Sequence, residues 1–140
     1  MALAPALASA DRGELELGVA AVGELPAAGG LDALAQLGLG EVLSLRAGLG
    51  GRWSSSGPAA DALVGLVGAW DVLAWVPEVA VSAGARVGYD PDVELQVTAG
   101  LRRWIGLDRS LTISIGGGYR PRLGQGYGCL SFGFWWRNRA

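Results

Sequence analysis

Between residues 93 and 119 the chain changes chemical character at every step. Val93, Leu95, Val97, Ala99 and Leu101 occupy one phase, while Glu94, Gln96, Thr98, Gly100 and Arg102 occupy the other. Leu107, Asp108 and Arg109 interrupt the pattern, which resumes with Leu111, Ile113 and Ile115 against Ser110, Thr112, Ser114, Gly116 and Gly118. Successive side chains of a strand point to opposite faces, so two such runs joined by a short turn form an antiparallel hairpin with one apolar face. A chain that repeats this rule must either enclose its apolar face or meet an apolar medium with it.

The rule does repeat. In residues 14–25, Leu15, Leu17, Val19, Ala21 and Leu25 oppose Glu14, Glu16, Gly18, Ala20 and Glu24. A turn at 26–30 follows. Residues 31–39 are expected to form a strand, although the leucine spacing there would also serve a short amphipathic helix; Gly38 and Gly40 each weaken a helix by ~1 kcal/mol relative to alanine. After a turn at Gly40 and Glu41, residues 42–54 set Leu43, Leu45, Ala47, Leu49 and Trp53 against Ser44, Arg46, Gly48, Gly50, Arg52 and Ser54. A loop at 55–58 leads to residues 60–72, whose apolar face would be Val64, Leu66, Trp70 and Val72, with Leu63 and Val67 on the other side. From Pro77 onward, Val79, Val81, Ala83, Ala85, Val87 and Tyr89 oppose Glu78, Ala80, Ser82, Gly84, Arg86 and Gly88. The last run sets Gly128, Leu130, Phe132, Phe134 and Trp136 against Tyr127, Cys129, Ser131, Gly133 and Trp135. About eight strands result. A strand of ~10 residues rising ~3.3 Å per residue and tilted by about 40° climbs about 25 Å, a membrane's apolar thickness.

The polar face decides which way such a sheet curls. A soluble barrel of the lipocalin kind, closed around a small apolar ligand, needs a densely charged outer surface. Only 17% of these 140 residues are charged while 51% are apolar, against roughly 25% charged in typical globular chains. The face opposite the apolar one is mostly Gly, Ala, Ser and Thr, which suits the crowded interior of an eight-stranded barrel. The expected fold is therefore all-β: an up-and-down antiparallel transmembrane β-barrel of about eight strands, in one domain over residues 11–140. Residues 1–10 end in Ala8, Ser9 and Ala10 and read as the remnant of an export signal. A transmembrane helix needs ~18 apolar residues in a row, and the nearest run, 62–76, is broken by Asp71.

Charges and aromatics follow the same frame. Arg46, Arg52, Arg86, Arg102 and Arg120 share the phase of the small residues, as do Glu14, Glu16, Glu24, Glu78 and Glu94. An arginine facing lipid near the midplane costs ~2–4 kcal/mol, so these ten are expected inside, as two layers of ion pairs that plug the lumen. The alternative is a narrow pore lined by the same charges. Membrane barrels carry aromatic girdles at both interfaces. Trp53, Tyr89, Tyr119 and Tyr127 are expected at one rim, and Trp70, Trp75, Trp104, Trp135 and Trp136 at the other. Arg103 and Trp104 break phase with their neighbours, which predicts a bulge or a side chain reaching toward the interface.

Over residues 14–136 the chain resembles the small eight-stranded outer-membrane β-barrels of Gram-negative bacteria. The most specific carrier is the final strand, Leu130, Ser131, Phe132, Gly133, Phe134, Trp135 and Trp136, which is similar to the aromatic signal read by the barrel-insertion machinery. The chain departs from that pattern in the four residues after Trp136 and in its short outward loops. The resemblance implies a monomer in the outer membrane, with lipid and the insertion machinery as partners and a structural or surface-interaction role.

No catalytic constellation is visible. Histidine is absent, which removes His-based triads and His-ligated metals. Cys129 has no base beside it and reads as a small residue of the lumen wall. Gly116, Gly117 and Gly118 lack the lysine and following helix of a phosphate-binding loop. A net charge of −2 with no basic stripe gives nucleic acid no purchase. The expectation is a protein that is not an enzyme and needs no cofactor.

Overall fold

The computed structural model describes residues 14–25, 28–55, 57–70, 75–88 and 91–137. Tyr89, Val72 and the export-signal stretch 1–10 lie outside the described residues. The elements are β1 (Leu15–Leu25), β2 (Ala28–Gly38), β3 (Leu43–Ser54), β4 (Gly57–Ala69), β5 (Trp75–Gly88), β6 (Asp92–Trp104), β7 (Arg109–Arg120) and β8 (Gln125–Arg137). Each strand pairs antiparallel with the next, and β8 returns to β1 from Glu16 opposite Arg137 to Leu25 opposite Gly128. Closure leaves no strand edge with unpaired backbone groups, the condition for sheet structure in a medium without water.

The alternation of the sequence becomes an alternation between wall faces. Outward lie the large apolar residues, with Leu49 69% and Ile115 68% exposed, and Leu45, Val81, Ile113 and Phe132 among them. Inward lie the charges, with Arg86 3% and Glu94 1% exposed. The enclosed side is thus polar. A lipocalin-like barrel holding an apolar ligand is the reverse arrangement, and the outward apolar face excludes it.

Strand pairing decides three local expectations. Residues 31–38 are strand, and the strand begins earlier, at Ala28, because Gly29 and Gly30 pair with Gly23 and Val22 across the tight first connection. In β4 the ladder to β3 runs unbroken from Leu43 opposite Gly68 to Ser54 opposite Gly57, and Leu63 and Val67 lie where their phase puts them, on the inner face with Asp61. Of the two alternatives at the end of β6, the bulge does not occur, and the side chain that reaches outward at the rim is Arg103. Arg103 pairs with Leu111 and Trp104 with Ser110, which sends Arg103 outward and Trp104 inward.

The two ends of the barrel differ. At the terminal rim, where Glu14 and Arg137 lie, the connections are 39–42, 70–74 and 105–108; at the far rim they are 26–27, 55–56, 89–91 and 121–124, the first three of them shorter. The 121–124 turn is closed by Gly124 N donating to Pro121 O at 3.2 Å, with Gly124 at a φ of 64° that favours glycine.

Candidate functional site

The interior contains two charged clusters at different depths. Nearer the far rim, β1 supplies Glu24, whose carboxylate meets three guanidinium groups from three other strands. Arg86 Nη2 donates to it at 2.7 Å, Arg120 Nη2 at 2.9 Å and Arg52 Nε at 3.2 Å. Each of those arginines also holds a second acid. Arg86 forks onto Asp61 through Nε at 2.6 Å and Nη2 at 2.8 Å. Arg52 forks onto Asp32 at 2.6 and 3.2 Å, and Arg120 Nε donates to Glu94 at 2.9 Å. Planar guanidinium suits this two-point binding. Mutual attraction must offset a desolvation penalty of several kcal/mol per ion, and it does so only when the remaining lone pairs are occupied, as they are around Glu24.

Nearer the terminal rim the second cluster is built around Arg102. Its Nη1 donates to Glu16 at 2.6 Å and its Nε lies 2.8 Å from Glu78, while Arg46 stands 3.6 Å from Glu78 and donates to Gln36 at 2.8 Å. Beyond it, Arg137 reaches Glu14 at 3.2 Å. Buried Glu16 Oε2, Arg102 Nη2, Trp104 Nε1 and Ser110 Oγ have no hydrogen-bond partner, so this half is satisfied less completely than the Glu24 half. Between the clusters lies a cavity of about 80 Å³, whose wall includes Asp32, Arg46, Arg52, Ser82, Gln96 and Thr98. That is room for a few water molecules at ~10–15 Å³ each. A smaller space of about 50 Å³ beside it borders Glu24 and Cys129. Ser114 and Ser131, on paired strands, bond through their hydroxyls across the same wall.

Three aromatics expected in the girdles are interior. Trp135 is 1% exposed, with Arg46 and Arg102 at 4.8 and 5.0 Å from its ring centroid and its Nε1 donating to Thr112 at 3.3 Å. Tyr127 is buried, donates its hydroxyl to Gln96 at 2.9 Å and has Arg120 at 4.0 Å over its ring. Trp104 packs on Ala69 and Val76, and Arg137 lies 4.1 Å over it. Room for these rings comes from glycines on the adjoining strand. A Cβ at Gly18, opposite Trp135, would fall 2.6 Å from the indole, and one at Gly118, opposite Tyr127, would fall 2.4 Å from the phenol. Outward-facing at the far rim are Trp53 and Tyr119; at the terminal rim they are Trp70, Trp75 and Trp136.

Reading the sequence also missed partners. Asp32 and Asp61 complete the Glu24 cluster, yet Asp32 sits in the run that also scanned as a helix and Asp61 in the run with the least regular alternation. Arg137, first of the four residues after Trp136 that depart from the aromatic signal, is the final residue of β8 and faces inward. Its even spacing from Trp135 was the available signal. Among the described residues, no group of three or more His, Cys, Asp or Glu is arranged to hold a metal ion.

No family model matches the chain, and no curated protein sequence matches it. Solved structures do. The chain is similar to a de novo designed transmembrane β-barrel, with a TM-score of 0.71 and 19% identity over 91% of this chain and 98% of that one. It is similar to the N-terminal β-barrel domain of OprF from Pseudomonas aeruginosa, with a TM-score of 0.71 and 13% identity over 89% and 98%. The third is Neisserial surface protein A, with a TM-score of 0.69 and 10% identity over 88% and 95%. At such identities the likeness is one of fold: a closed, eight-stranded antiparallel barrel of the transmembrane type.

Proposed function

We propose that this chain is an integral outer-membrane barrel with a structural, non-enzymatic role in the envelope, acting as a monomer, inserted by the barrel-assembly machinery and plugged by its ion pairs. The observation that carries this reading is the inversion of faces, greasy outside and charged inside, which only an apolar surrounding makes favourable. A structural role is favoured over binding at the cell surface because three of the four far-rim connections are shorter than any at the terminal rim. Outer-membrane barrels carry their longer loops outside, and in this orientation no far-rim connection exceeds four residues.

Val97 tests the membrane. It lies near the middle of β6, faces outward and is 54% exposed. Val97→Arg is expected to destabilise the vesicle-inserted barrel by ~2–4 kcal/mol in urea titrations. On a water-exposed surface the same change stays within ~0.5 kcal/mol, and that result would remove the bilayer from the proposal.

Plugging is tested separately. The Glu24 and Arg102 clusters cross the lumen above and below the central cavity, and full-length protein in planar bilayers is expected to show no steady current. A stable, ion-selective conductance would replace the plug by the narrow-pore reading, which the polar central cavity otherwise recommends.

A further inference from the structure

Arg46, Arg52, Arg86, Arg102, Arg120 and Arg137 each meet a carboxylate inside the barrel. Arg103 and Arg109 do not. Both are exposed, both leave the outer wall at the terminal rim, and neither has a carboxylate partner among the described residues, the neighbouring Asp108 included. Each has a tryptophan as its partner on the neighbouring strand. Trp75 on β5 stands opposite Arg103 on β6, whose guanidinium carbon is 5.3 Å from the indole centroid. Arg109 on β7 stands opposite Trp136 on β8.

The two arginines are themselves close. Arg103 pairs with Leu111, and Ile105 N donates to Arg109 O at 2.9 Å, which makes Arg103 and Arg109 diagonal neighbours on adjacent strands. Such neighbours lie ~7–8 Å apart, a span that two long guanidinium side chains close around one tetrahedral anion. Directly beyond them the wall turns apolar with Leu101, Leu111 and Phe134, the last packed edge-on against Trp136 at 4.6 Å. An anion seated here therefore needs hydrocarbon attached on one side.

We infer that Arg103 and Arg109, bracketed by Trp75 and Trp136, form a docking site for the phosphate of an anionic phospholipid whose acyl chains run along Leu101, Leu111 and Phe134. The inference rests on the membrane reading above and adds a ligand to it. Guanidinium binds phosphate oxygens bidentately, and indole rings favour the headgroup level. Among the described residues the far rim has no counterpart on its wall: Trp53, Tyr119, Leu25 and Val87 face outward there, and Arg122 belongs to the 121–124 turn. The site thereby gives the barrel a preferred leaflet, with its terminal rim in the one that holds anionic phospholipid.

Native mass spectrometry of the full chain in detergent, titrated with phosphatidylglycerol or phosphatidylcholine, reads the site directly. The wild-type chain is expected to retain phosphatidylglycerol selectively, and Arg103→Gln with Arg109→Gln to bind it about 30-fold more weakly, roughly fivefold for each basic group at an anionic headgroup. Arg103→Lys with Arg109→Lys retains most of the binding, and Arg122→Gln at the far rim retains all of it. Equal retention of the two lipids, full retention by the double glutamine variant, or an equal loss in Arg122→Gln overturns the inference. Displacement of the lipid by inorganic phosphate alone does so too, because it would make the acyl chains irrelevant. Failure of the chain to insert into phosphatidylcholine vesicles would instead sink the membrane reading; insertion without lipid preference sinks only this one.

Discussion

Glu24→Ala is expected to destabilise the folded barrel by about 3–5 kcal/mol, the usual loss when one member of a buried ion cluster is removed. Glu24 is 7% exposed and is the acceptor shared by Arg52, Arg86 and Arg120. Its removal leaves those three cations with Asp32, Asp61 and Glu94 but takes away the charge that holds them together across the lumen. Urea-dependent folding into lipid vesicles, followed by tryptophan fluorescence and by mobility of unheated samples on gels, gives the free energy. Glu41→Ala, in the exposed 39–42 turn, is the comparison and is expected within ~0.5 kcal/mol of wild type. Equal effects at Glu24 and Glu41 would mean that the cluster does not support the barrel.

Trp135→Ala should be of similar size, about 3–5 kcal/mol, because it empties an enclosed site whose wall cannot collapse. The barrel's circumference is set by its strand pairing, so Gly18 has no side chain and no freedom with which to fill the space. The loss also exposes Arg46 and Arg102 to a void where an aromatic face had been. Trp136→Ala, one residue on but 44% exposed on the outer wall, is expected to lose less under the same conditions. A larger loss at Trp136 than at Trp135 would return Trp135 to the girdle.

That pair of neighbouring tryptophans shows where reading the chain succeeds and where it stops. Phase alone assigns them to opposite faces, since Trp135 keeps step with Gly133 and Ser131 while Trp136 keeps step with Phe134 and Phe132. Assigning both to an interface girdle weighed their position at a strand end above their phase. What made the interior possible for Trp135 is Gly18, more than a hundred positions away, facing it across the seam that closes the barrel. Gly118 likewise makes room for Tyr127, though from only nine positions away on the neighbouring strand of the β7–β8 hairpin. No local pattern announces a glycine as the floor under a ring on another strand.

The partners of the arginines divide in the same way. Period-two spacing puts Arg52, Arg86, Glu24 and Asp61 on one face, but it says nothing about which of them share a depth. Depth depends on strand register around the whole barrel. Arg86 and Asp61 meet because they are direct partners on β5 and β4, whereas Glu24 reaches Arg86 across the lumen from β1. By itself, the sequence determined the strand count, the two faces and the polarity of each, because these follow from a local rule repeated along the chain. Only the tertiary structure decided which charges join, which aromatics turn inward and that Arg103 and Arg109 sit side by side on the outer wall, because closure and register bring together residues that no spacing rule connects.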